Sequence, residues 1–249
     1  MLIFVANGLT ALRGKLGNFE PSAPTIYEVP ISVVEQAPPA VKRLGCAPSF
    51  SVYGEGATPE SLGDQQRTTG CHLHISDPHL TQELLLDVVR WADVLVGATW
   101  TYISPEDSAV EKYRRTAYGR AGEHRRNIYP PYYDFPRPLH GVEYRSLPGR
   151  VLTHPAYLTL MLRLYRAAMF QATHHGPPTA EFSDMARHAI NESDKDLAGR
   201  LVARTDWTPR SRSMIEFYRE PLPMLSVETW CGLGLASRGC LTHFYVNQK

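Results

Sequence analysis

The chain has 249 residues, enough to bury a substantial core as one large domain or two small ones. It is 43% hydrophobic and 20% charged, as soluble globular proteins are. A net charge of +1 excludes nucleic-acid binding driven by overall charge, so any electrostatic function must be local. The four cysteines, Cys46, Cys71, Cys231 and Cys240, are too scattered for a disulfide framework and fit a reducing compartment.

The opening MLIFVANGLTALRGK has no basic segment ahead of its apolar residues and breaks at Asn7-Gly8, which argues against a signal peptide. No apolar run reaches bilayer length, so the expected location is the cytoplasm. From Pro24 to Val34, the β-formers Ile26, Val29, Ile31 and Val33 predict an extended segment interrupted by Pro30. Gly45-Cys46-Ala47-Pro48 predicts a turn, and the following SFSVY predicts a strand with Phe50 and Val52 on one face.

The stretch RTTGCHLHIS, Arg67 to Ser76, carries two histidines one residue apart. On an extended backbone His72 and His74 share one face, while Cys71, Leu73 and Ile75 share the other. The pair can serve a metal, an anion or a plain polar sheet face. A structural zinc site is disfavoured, because alternation turns Cys71 away and no C-x-x-C pair exists elsewhere.

Asp77 and Pro78 then offer a helix start, and Leu80, Leu84, Val88, Trp91 and Leu95 recur at helical spacing up to an expected end by Ile103-Ser104-Pro105. In SAVEKYRRTAYGRAGEHRR, pairs such as Glu111 with Arg115 fit a solvated surface helix. Gly119 and Gly122 instead predict a shaped loop presenting Arg120, Arg125 and Arg126. The segment HGVEYRSLPG reads as a strand with Glu143 and Arg145 on one face and Val142 and Tyr144 on the other. His154-Pro155 starts a second helix with the apolar stripe Leu158, Met161, Leu162, Tyr165 and Met169, and further helix is expected within 183–204.

Four motifs run in order: Gly45 through Pro48 as G-C-x-P, Arg67 through His74 as R-x-x-G-x-H-x-H, Tyr118 through Arg125 as Y-G-x-A-G-x-x-R, and Gly141 through Arg145 as G-x-E-Y-R. Together with the helices between them, they resemble the bacteriophage-encoded carboxylate-amine ligase family of the glutamine synthetase-like superfamily, over residues 45–170. The resemblance implies an α+β fold, with a curved, mainly antiparallel sheet backed by helices in a glutamine synthetase-like catalytic domain. The expected division is a ligase-like domain over 1–175 and an extension over 176–249 packed on it. It further implies ATP with Mg²⁺ or Mn²⁺ as cofactors, His72 and Glu143 as metal ligands, Arg145 and His74 as catalytic residues, and Arg67, Arg120 and Arg125 as ATP contacts.

The chemistry suits those residue types. Joining a carboxylate to an amine through an acyl phosphate is mainly a matter of neutralising phosphate charge, which metals and Arg forks do. Magnesium itself prefers oxygen ligands, so the assignment of His72 rests on the resemblance. The paired-acid strand with which the superfamily opens is not evident before Gly45. Three explanations stay open: a partner subunit or a second copy completes the site, the start lies too far downstream, or the domain is a remnant used for binding or assembly. The expected substrates are small-molecule or peptide carboxylates and amines. The competing expectation is a non-catalytic binding or assembly protein that keeps the ligase scaffold. Single-stranded nucleic acid is disfavoured, since Glu111, Glu123 and Glu143 interrupt the basic segment.

Overall fold

The computed structural model of the chain describes residues 25–37, 49–54, 65–77, 80–129, 139–205, 213, 215, 216 and 219. Its strands are β1 (Ile26–Glu28), β2 (Phe50–Ser51), β3 (Gln66–Thr68), β4 (Gly70–Ser76), β5 (Glu123–Tyr129) and β6 (Leu139–Pro148). Its helices are α1 (Ile31–Gln36), α2 (Gln82–Ala92), α3 (Ala98–Ile103), α4 (Ser108–Ala117), α5 (Pro155–His175), α6 (Ala180–Glu192) and α7 (Lys195–Arg204). A π-helical turn, Asp93–Gly97, joins α2 to α3. The architecture is mixed α and β: a four-stranded antiparallel sheet in the order β2-β5-β6-β4 and a two-stranded sheet β1-β3, backed by helices, with no closed barrel among the described residues.

Strand β6 holds the centre because it has a ladder partner on both sides and is buried from Gly141 to Pro148. Its Val142 and Tyr144 face the helices together with Leu73 of β4, and this face continues into α2 and α5 through Leu85, Val88, Val89, Leu158, Met161 and Tyr165. Each fully buried side chain of this size contributes roughly 1.5–3 kcal/mol. Trp100 sits edge-on to Tyr157, centroids 5.4 Å apart, and both are fully buried. The described part of the segment after Gly176 joins the same core through Ala186, Leu201, Val202 and Ile215.

Several local expectations are corrected. The N-terminal segment is extended only over Ile26–Glu28; Pro30, whose carbonyl accepts from Val33 and Val34 N–H at 2.9 and 3.2 Å, then turns the chain into helix α1. The first long helix is capped by Thr81, whose hydroxyl accepts from Leu84 N–H at 3.3 Å, rather than by Asp77. Its end at Ile103 matches the expected stop. His154 caps α5, its Nδ1 accepting from Ala156 N–H at 3.0 Å, with Pro155 in the first turn. The helical stretch expected over 183–204 is two helices, because Ser193 takes a left-handed conformation (φ 53°) and Asp194 caps α7. The G-C-x-P motif and the segment 130–138 lie outside the described residues.

Among the described residues, no helix is long and apolar enough to cross a membrane.

Candidate functional site

The two polar pairs read from sequence meet on one face of the four-stranded sheet. In the β4–β6 ladder His74 lies directly opposite Glu143, and in the β5–β6 ladder so does Arg125. Alternation then places His72 and Arg145 on the same face. Cys71 and Leu73 are buried on the other face, as the alternation predicted, which keeps Cys71 out of the cluster. The β4–β6 register shifts between Cys71 and Leu73, where Arg145 and Ser146 together lie across from His72, a bulge on the β6 side.

His72 Nδ1 lies 2.7 Å from Glu143 Oε1, and Arg145 Nη1 stands 3.6 Å from the same oxygen. Asn127 donates to Glu143 Oε2 at 3.4 Å. One ligand atom from each of His72, His74 and Glu143 fits within 4.8 Å of the others. The site is graded in exposure: Glu143 and Arg145 are buried, His72 is half-buried and His74 is exposed.

Burial and the Arg145 charge push the His72 imidazolium down more than Glu143 raises it, so the ring is held neutral. A depressed histidine contributes stability that is present above its unfolded value, near 6.5, and is lost as the pH falls through the folded one.

Tyr118 completes the cluster. It follows α4 with an extended backbone, and Gly119 after it adopts φ 84°. A Cβ at Gly119 would also run into the Arg114 guanidinium, so only glycine allows both the turn and the buried arginine beneath it. The turn lays the Tyr118 ring beside His72 and Arg145: its hydroxyl hydrogen-bonds His72 Nε2 and accepts from Arg145 Nε at 3.0 Å, and the Arg145 guanidinium carbon lies 5.0 Å from the ring centroid. Burial raises the phenol to about 12 against the opposing pull of Arg145, so it stays protonated. Glu143, His72, Tyr118 and Arg145 thus close a ring of polar contacts.

Other expected members are placed elsewhere. Arg120 is spent on the end of α4, its guanidinium donating to the Arg115 and Thr116 carbonyls at 2.8 and 3.4 Å. Four carbonyls at a helix end lack partners, and a nearby guanidinium satisfies them. Arg67 lies in the two-stranded sheet opposite Tyr27 and donates to the Gln66 carbonyl. Glu123 shares the face but accepts from Gly119 N–H at 3.1 Å. Among the described residues, no second carboxylate joins the His72, His74 and Glu143 group.

The sequence assigns no part in the cluster to Tyr118 or Asn127. Tyr118 stood in the third motif, beside a glycine, which was its available signal.

Beneath the opposite face lies a second polar cluster. Asp93, fully buried in the π-helical turn, accepts from the Tyr144 hydroxyl at 2.8 Å and the Tyr53 hydroxyl at 2.9 Å. Burial pushes its carboxyl up to about 7, against the donors around it. A Cβ at Gly97, closing the same turn, would strike the Tyr144 hydroxyl and Ile190.

No family model matches this chain, and no curated protein or solved structure matches it. The donor set of the sheet-face cluster fits a divalent cation. With two imidazoles and one carboxylate, it departs from the oxygen shell magnesium prefers.

Proposed function

We propose that the sheet face around His72, His74, Glu143 and Arg145 belongs to an ATP-dependent carboxylate-amine ligase, and that the fold is a glutamine synthetase-like catalytic domain. In that reaction a carboxylate oxygen attacks the γ-phosphorus of ATP and ADP leaves. An amine nitrogen then attacks the acyl carbon, losing a proton as inorganic phosphate departs. The observation that carries this reading is the arrangement on β6 and its neighbours. Glu143 and Arg145, two residues apart, put a carboxylate and a guanidinium in one patch, and His72 and His74 approach from β4.

Glu143 and His72 hold a divalent cation, which supplies charge neutralisation for the phosphates. Arg145 presents its planar fork to phosphoryl or acyl oxygens, and Arg125, opposite Glu143, adds a second positive charge. His74, exposed at the rim, orients the substrate carboxylate or the incoming amine by a hydrogen bond. The substrates are small-molecule or peptide carboxylates and amines. A partner subunit or second copy, working in the cytoplasm, contributes further acids.

A second reading is favoured by one observation: Glu143 is the single carboxylate of the described group. On that reading the chain is a binding or assembly protein that retains the scaffold. Calorimetric titration of Mg-ATP into the full chain decides between them, with Glu143→Gln as the control. Saturable binding lost in the control is the result expected of a ligase. Equal binding by the control overturns the site assignment, and absent binding removes the ligase reading for this chain acting without a partner that supplies acids.

A further inference from the structure

The described donors favour a different kind of metal from the one the ligase reading brings with it. His72, His74 and Glu143 offer two imidazole nitrogens and one carboxylate oxygen within 4.8 Å of one another. Magnesium demands an octahedron of oxygens and keeps several waters, whereas imidazole suits zinc, iron, cobalt, nickel and copper. Three protein ligands with an open position is the arrangement of catalytic rather than structural zinc sites.

The surroundings of His72 are those of a metal-bound imidazole. Ligating histidines generally give their second nitrogen to an outer partner that fixes the ring's orientation and tautomer. His72 is so held: Nδ1 faces Glu143 Oε1 at 2.7 Å, and Nε2 meets the Tyr118 hydroxyl, itself fixed by Arg145 Nε at 3.0 Å. Without a cation, the proton shared between His72 Nδ1 and Glu143 Oε1 occupies the place where a cation would bind both atoms. With one, the ring proton moves to Nε2 and is donated to Tyr118, whose oxygen has lone pairs for both His72 and Arg145. His74, directly across from Glu143 and exposed, supplies the third ligand.

We propose that His72, His74 and Glu143 form a three-ligand site for a borderline divalent transition metal such as zinc or cobalt in preference to magnesium, with Tyr118 as the outer residue that positions His72. The proposal rests on the placement of a cation at His72 and Glu143 in the preceding reading, but on neither ATP nor ligation.

The test is binding to the full chain freed of metal by chelation. Zinc and magnesium are titrated in competition with a chromophoric chelator, and the visible absorption of bound cobalt(II) reports the ligands. One zinc per chain is expected, bound at least 100-fold more tightly than magnesium. Glu143→Gln should remove that binding, and His74→Ala should weaken it at least 10-fold; His74 is exposed, so this variant folds. Tyr118→Phe should weaken zinc binding by 10-fold to 100-fold and alter the cobalt spectrum, a change that a purely structural tyrosine would not produce.

Equal affinity for zinc and magnesium, or zinc affinity unchanged in Glu143→Gln or His74→Ala, overturns the proposal. The two readings fail separately. Zinc binding that depends on His74, in a chain that does not take Mg-ATP, leaves this inference standing and removes the ligase; Mg-ATP binding without a zinc preference does the reverse.

Discussion

Glu111 and Glu143 are both nearly buried carboxylates with two cationic or imidazole groups beside them, yet their surroundings differ in one decisive respect. Glu111 is buried and held by three side chains. It meets Trp100 Nε1 at 3.2 Å, Arg114 Nε at 3.3 Å and Arg115 Nη2 at 3.5 Å. Arg115 runs on to the Ile190 carbonyl and, at 3.0 Å, to Ser193, tying α4 to the end of α6. Glu143 meets His72, Arg145 and Asn127, but the layer continues outward to exposed His74. The first cluster locks helices together. The second has an open side, which a ligand needs.

The comparison is broken most directly at Glu111. Burial pushes its carboxyl up, but Arg114 and Arg115, with the Trp100 and Arg114 hydrogen bonds, outweigh burial and hold it below the usual range. Glu111→Gln leaves two buried guanidiniums without their counter-charge and should destabilise the chain by about 3–5 kcal/mol in urea unfolding. A group depressed in the folded state contributes stability above its unfolded value that is lost as the pH falls through the folded one. The variant should therefore lose part of the parent's acid sensitivity. A loss under about 1 kcal/mol would mean that the cluster is more hydrated than its burial implies.

Next in size is the Asp93 cluster. Tyr144→Phe removes the 2.8 Å bond to a fully buried carboxylate and should cost about 1–3 kcal/mol. Asp93 has the opposite pH sign from Glu111. Raised to about 7, it contributes most below its unfolded value, and that contribution is lost as the pH rises through about 7. Urea midpoints at pH 5.5 and 8.5 should differ more in the parent than in Asp93→Asn. Equal differences would show that Asp93 titrates normally.

Much of this contrast was legible in the sequence, and the missing part has a physical cause. Alternation alone put His72 with His74 and Glu143 with Arg145, because period-two patterns survive whatever the partner strand is. Gly119 and Gly122 marked the break after α4, and both take positive φ. Cross-strand register was not legible, so the meeting of His74 with Glu143 needed the fold. The charge pattern of α4 misled for a related reason. Glu111 and Arg115 have the spacing of a solvated pair, and the packing of α3 and α6 buries them. The fold-back of the Arg120 guanidinium onto the Arg115 carbonyl was not legible either, because sequence does not say which way a guanidinium turns.

The smallest expected effect sharpens the comparison from the other side. His74 is exposed and lies across from Glu143, so removing its ring opens no cavity in the core. His74→Ala should therefore stay within about 0.5 kcal/mol of the parent in urea unfolding, as surface substitutions do. Glu111→Gln is expected to cost several times more, although both changes remove one member of a polar cluster. If His74→Ala instead destabilised the chain by more than about 1 kcal/mol, His74 would be tied into the fold as Glu111 is. The open side of the sheet-face cluster would then be part of the scaffold, and the contrast with Glu111 would disappear.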